Sequence, residues 1–100
     1  MSIVVRENIE VSDLETEIIE PQHTPHERKR IFAVSNVAHE VELKAWGRPS
    51  EEVDWIEKDK KLLAANSADT LVVGPDVYWV KLTGKVITGD SSIVNACLVY

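Results

Sequence analysis

A chain of 100 residues, 44% hydrophobic and 28% charged, suffices for one domain with a two-layer core and is too apolar to be disordered. Its net charge of −6 argues against nucleic acid as a partner, because binding a polyanion needs clustered Lys and Arg. The single cysteine, Cys97, excludes an intramolecular disulfide and a cysteine-built zinc site.

The opening MSIVVRENIE lacks the basic flank and long apolar stretch of a secretory signal, and no apolar run approaches the roughly 20 residues that cross a bilayer. A chain made in the cytoplasm with no membrane partner is expected. The first twenty residues carry apolar runs at Ile3 to Val5, Ile9 to Val11 and Ile18 to Ile19. Ser12 and Glu15 stand at capping-box spacing, but β-branched residues dominate and favour extended structure. This segment is acidic, with Arg6 against Glu7, Glu10, Asp13, Glu15, Glu17 and Glu20. PQHTPHERKR follows; its prolines and lack of large apolar residues read as an exposed loop, and Arg28, Lys29 and Arg30 make it basic. The expected organisation is an acidic N-terminal segment or arm over 1–20, a loop or linker over 21–30, and a β-sandwich domain over 31–100. The arm either packs on its own domain or reaches a neighbouring copy, whose basic knot would attract it.

From Ile31 the β pattern is regular. RIFAVSNVA reads as a strand, with residues 36–39 either continuing it or bending. EVELKAWG reads as a second, with Val41, Leu43 and Ala45 inward. After a loop at 47–50, Val53 to Ala65 reads as strand, charged turn at EKDKK, strand. TLVV is a short strand and Gly74-Pro75-Asp76 a turn. In the next strand Tyr78, Val80, Leu82, Gly84 and Val86 share one face, and Val77, Trp79, Lys81, Thr83 and Lys85 the other. A turn at Thr88 to Ser91 then returns SIVNACLVY as the partner in a β-hairpin. Ile93, Cys97 and Val99 lie on one face of that last run, Val94, Ala96, Leu98 and Tyr100 on the other. Seven to eight short strands at spacings of about 8 to 12 residues point to an all-β antiparallel sandwich.

The chemistry-bearing residues are sparse. His23 and His26 flank the stiffening Pro25 with no implied further ligands, so a solvated loop is expected rather than zinc. No serine stands in a Gly-rich elbow, and Asp54 with Glu57 or Asp59 reads as a charged turn. The isolated Gly47, Gly74, Gly84 and Gly89 build no phosphate loop. No enzyme, cofactor, metal or small-molecule substrate is expected. Trp46, Trp55 and Trp79 say more, since exposed tryptophans on a sandwich stack on sugars or anchor protein interfaces. Trp55 is assigned to the core. Trp79 shares its face with Lys81, and Trp46 lies opposite the inward Val41, Leu43 and Ala45. The candidate interface residues are Trp79, Trp46, Val77, Lys81 and Tyr100. Strands apolar on both faces need a second covering, so self-association or docking on a surface is expected.

The ending DVYWVKLTGKVITGDSSIVNACLVY, preceded by LLAANSADTLVV, resembles the closing hairpins of small tailed-phage virion proteins of the head-decoration, cement or fibre-base kind. The resemblance implies a structural homo-oligomer, often a trimer, docked on another virion protein without a cofactor; it carries over no functional residue. Two other readings stand beside it. A small acidic inhibitor would bind a basic partner in a salt-sensitive way. A glycan-binding module would show tryptophan quenching by sugars.

Overall fold

The computed structural model describes residues 2–35 and 39–100. The chain forms β1 (Ile3–Ser12), β2 (Thr16–His23), β3 (Lys29–Ser35), β4 (Val41–Arg48), β5 (Ile56–Leu63), β6 (Ala68–Val73), β7 (Trp79–Val86) and β8 (Ser91–Val99), with no helix among the described residues. A first sheet has the order β1-β8-β3-β6 and a second the order β2-β7-β4-β5. Every neighbouring pair is antiparallel. Two four-stranded sheets interleaved in this order are a jelly roll, the doubly Greek-key form of the expected sandwich.

Period-two alternation builds the core. In β3, Lys29, Ile31, Ala33 and Ser35 are buried while Arg30, Phe32 and Val34 are exposed. In β4, Val41, Leu43 and Ala45 face inward as expected, and so do Val80, Leu82, Gly84 and Val86 of β7, whereas Tyr78, expected on the same face, precedes the strand and is exposed. In β8 it is Ser92, Val94, Ala96 and Leu98. The inner faces of the two sheets meet in one apolar cluster.

Three expectations are corrected. The runs on either side of Gly89 do not form a hairpin: β7 lies in the second sheet and β8 in the first. The turn crosses the sandwich, with Gly89 at φ 106° and a side of its backbone where a Cβ would meet the His39 ring at 2.5 Å. The local pattern of a crossing turn and of a hairpin turn is the same, and only the pairing tells them apart. Next, Ile56–Leu63 is one continuous strand with no turn at EKDKK. It is an edge strand, and its charges guard an edge that would otherwise invite pairing. Finally, the sandwich does not begin at residue 31: the N-terminal segment takes the first of its two expected placements and packs on its own domain, β1 pairing with β8 and β2 with β7. Strand β2 runs on through Pro21 to His23 and β3 begins at Lys29, so the expected loop over 21–30 shrinks to its middle. Pro21 is tolerated because β2 is an edge. The bend expected over Asn36, Val37 and Ala38 falls outside the described residues.

Side chains latch both open sides of the sandwich. Between β5 and β6 the Asp59 carboxylate accepts the Val72 N–H at 2.9 Å, and Lys58 pairs with Asp76. Between β1 and β2 the Arg6 guanidinium pairs with the Glu20 carboxylate. That hydrogen bond, with help from the Glu20 backbone, holds the Glu20 carboxyl at about 2, below its ordinary 4.5. The unfolded chain therefore binds the extra proton in this window, so stability rises with pH there. We expect the latch to contribute fully above pH 4.5 and to be lost as the pH falls towards about 2. The effect is small because both groups are solvated. Urea titrations across that range should show a shallower acid loss in Glu20→Gln than in the parent chain.

Lys29 is fully buried at the inner start of β3. Its ammonium donates to the carbonyls of Val77 at 2.6 Å and Gly74 at 3.3 Å, tying β3 to the loop between β6 and β7. Desolvation lowers its pKa from 10.5, against the opposing pull of Asp76 and Glu27.

Candidate functional surfaces

The outward residues of β4 and β7 make an aromatic and cationic face on the second sheet. Trp46 stands opposite Lys81, and Arg48 opposite Trp79, so each row pairs one ring with one cation. The loop between β4 and β5 lays Trp55 over both cations: the Arg48 guanidinium is 4.3 Å and the Lys81 ammonium 4.8 Å from its ring centre. Arg48 also lies 5.8 Å from Trp79, and Lys81 5.8 Å from Trp46. The result is a ladder of ring, cation, ring, cation, ring, each step within cation–π range. Trp46 Nε1 donates to Thr83 Oγ1 at 2.8 Å, and Thr83 in turn donates to Glu15 at 3.1 Å.

Strand alternation thus brings together three of the expected interface residues, Trp79, Trp46 and Lys81, and separates the other two. Val77 is 1% exposed. It lies under Gly47, where an added Cβ would come within 2.8 Å of it, and offers no side chain to a partner. Tyr100 sits at the end of the first sheet, its backbone bonded both ways to Ser2, near Arg28 and Arg30. Trp55 is half-buried on the outer ladder and not in the core, because a loop residue between two cations finds a covering without entering the sandwich. His23 and His26 both stack on Tyr78. Among the described residues no group of three metal-ligating side chains converges.

The first sheet presents a different face. Register places Val5, Cys97, Phe32 and Thr70 in one row across four strands, with Ile3, Val99, Arg30 and Val72 in the row beside it. Val34 and Ile93 continue the apolar strip, and Val5, Phe32 and Val34 are 50%, 43% and 42% exposed. One end of this strip is basic, at Arg28 and Arg30; the other is acidic, at Glu7 and Glu10. The sequence signal was the antiphase of RIFAVS, where Phe32 and Val34 alternate with the inward Ile31 and Ala33.

No protein-family model matches the chain, and no curated protein matches it. Solved structures do match in fold. A family 16 carbohydrate-binding module is 10% identical with a TM-score of 0.60, over 93% of this chain and 76% of that one. YomS, derived from the SPBc2 prophage, is 14% identical with a TM-score of 0.57, over 98% and 94%. A protein of Bacillus endospore appendages, a family of disulfide-linked pili, is 12% identical with a TM-score of 0.57, over 97% and 85%. At such identities the likeness establishes a shared small all-β sandwich and nothing finer.

Proposed function

We propose that this chain is a non-enzymatic structural protein that works by self-association, a virion component of the capsid-decoration, cement or fibre-base kind. The observation that carries this reading is the apolar strip on the outer face of the first sheet, exposed and bounded by opposite charges. The sheet edges are a poor route to association, since Asp59 caps the Val72 N–H and charges line β5. The kink at Asn8, with φ 53° and its N–H donated to the Asn95 side chain at 2.7 Å, also breaks the regular edge of β1. What remains to be covered is a face, and the partner that fits it is a second copy. A two-fold axis near Cys97 and Phe32 sets Arg28 and Arg30 of one copy against Glu7 and Glu10 of the other, a self-complementary contact. Docking on a further virion protein then falls to the remaining surfaces. Similarity to a prophage-derived protein and to a pilus protein supports the reading.

The test is solution mass by size exclusion with light scattering. Twice the 11.2 kDa of one chain should persist on dilution to low micromolar. Phe32→Glu should give a folded monomer, as judged by circular dichroism. A parent chain that is monomeric at high micromolar overturns self-association, and a three-fold mass overturns the two-fold contact.

A further inference from the structure

On the second sheet the loop between β4 and β5 rises beside the start of β7 and leaves an open cleft of about 590 Å³. Its floor is aromatic: His23, Tyr78 and Trp79. Its wall is polar: Ser50, Glu51 and Glu52. The floor is held from several sides. His23 pairs with Trp79 across the strands, with ring centres 5.0 Å apart at 72°. The His26 ring stacks on Tyr78 at 4.9 Å. The Tyr78 N–H donates to the Arg48 carbonyl at 3.1 Å, and its carbonyl accepts from the Thr24 N–H at 2.6 Å. The turn of the wall is fixed as well, since the Ser50 carbonyl accepts from the Val53 N–H at 3.3 Å. Even so, Tyr78 is 40% exposed, so a rigid aromatic surface is left open to solvent beside two carboxylates.

We infer that this cleft binds a neutral pyranose unit of a polysaccharide. The class follows from what each part of the cleft accepts. A pyranose has an apolar C–H face that lies on the electron-rich face of Tyr78 or Trp79, and neighbouring hydroxyls that donate to carboxylates in charge-assisted bonds. An anionic ligand would meet Glu51 and Glu52. A cationic one would compete with the Arg48 guanidinium, which already lies over Trp79. A purely apolar ligand would strip water from two carboxylates and return no hydrogen bonds. A neutral polyol avoids all three costs, and the cleft's size lies in the range of small-molecule sites. The cleft and the apolar strip lie on different sheets, so binding here does not depend on self-association.

The probes are neutral hexasaccharides of glucose, N-acetylglucosamine, galactose and mannose, in α- and β-linked forms, titrated into the full chain. Calorimetry reads binding and tryptophan fluorescence reads its site. At least one probe should bind saturably, with a dissociation constant of about 1 mM or tighter, and its affinity should not change with salt. Tyr78→Ala and Glu52→Gln should each weaken it by about tenfold or more. Both residues are exposed, so both variants should stay folded. Trp79→Phe should lose the fluorescence change, whereas Trp46→Phe, outside the cleft, should alter neither that change nor calorimetric binding. No saturable binding by any probe overturns the inference, as does binding that Tyr78→Ala and Glu52→Gln leave intact. Monomeric Phe32→Glu should bind as the parent does, which separates failure of this site from failure of the self-association reading.

Discussion

Replacing Lys29 by alanine should lower the stability of the chain by about 2–4 kcal/mol. The ammonium is buried and holds two carbonyls of the loop between β6 and β7. Alanine leaves both acceptors dry and opens a void where the four-carbon stem lay. Lys29→Met, which refills the stem without the charge, should lose about half as much, because it removes a desolvated cation along with its bonds. The pH dependence gives an independent readout. Since burial lowers the folded pKa from 10.5, the unfolded chain binds more protons just below that value, and stability rises with pH there. That rise should vanish in both variants when urea midpoints are compared across the alkaline range. Equal stability of Lys29→Ala and the parent would mean that the lysine leaves the interior in solution.

Leu82→Ala and Leu62→Ala should differ sharply. Leu82 is fully buried at the centre of the second sheet, between Ala45 of β4 and Ile19 of β2. Its truncation should cost about 2–5 kcal/mol, a fall in melting temperature of about 10 to 25 °C for a domain of this size. Leu62 is 55% exposed on the edge strand β5, so its truncation should stay within about 0.5 kcal/mol. Thermal melts of the two variants check the burial pattern and the continuity of β5 together. A hairpin with its tip at EKDKK would place Leu62 in a separate strand with its own facing.

The sequence carried the strands better than their partners. Alternation in RIFAVS, EVELKAW and YWVKLTGKV reports one-sided burial, which belongs to a strand wherever its sheet lies. It cannot report which strand lies alongside. That is why β7 and β8 read as a hairpin across Gly89, although each lies nearer the middle of a different sheet. EKDKK misled for a related reason: charge density marks exposure, and a guarded edge is as exposed as a turn. The ladder of Trp46, Lys81, Arg48 and Trp79 was half legible, since Trp79 and Lys81 share one face of one strand. Its other half depends on the register between β4 and β7, and its cap on where a loop carries Trp55. The Tyr78 cleft joins the end of β2, the loop after β4 and the start of β7, three segments that no local pattern links.

The interleaved strand order also governs when the protein can fold. Among the described strands, β4 and β5 are the one pair adjacent both in the chain and in a sheet. Every other pairing closes a long loop, which places such a chain among the slow folders, on the order of milliseconds to seconds. The middle of the first sheet depends on β8, flanked by β1 and β3. On a ribosome both strands emerge well before it and wait with bare edges. The second sheet has its central pair once β7 is out. The first sheet can close only once β8 has followed β1 and β3 out, so the apolar strip comes into being after the opposite sheet has its centre.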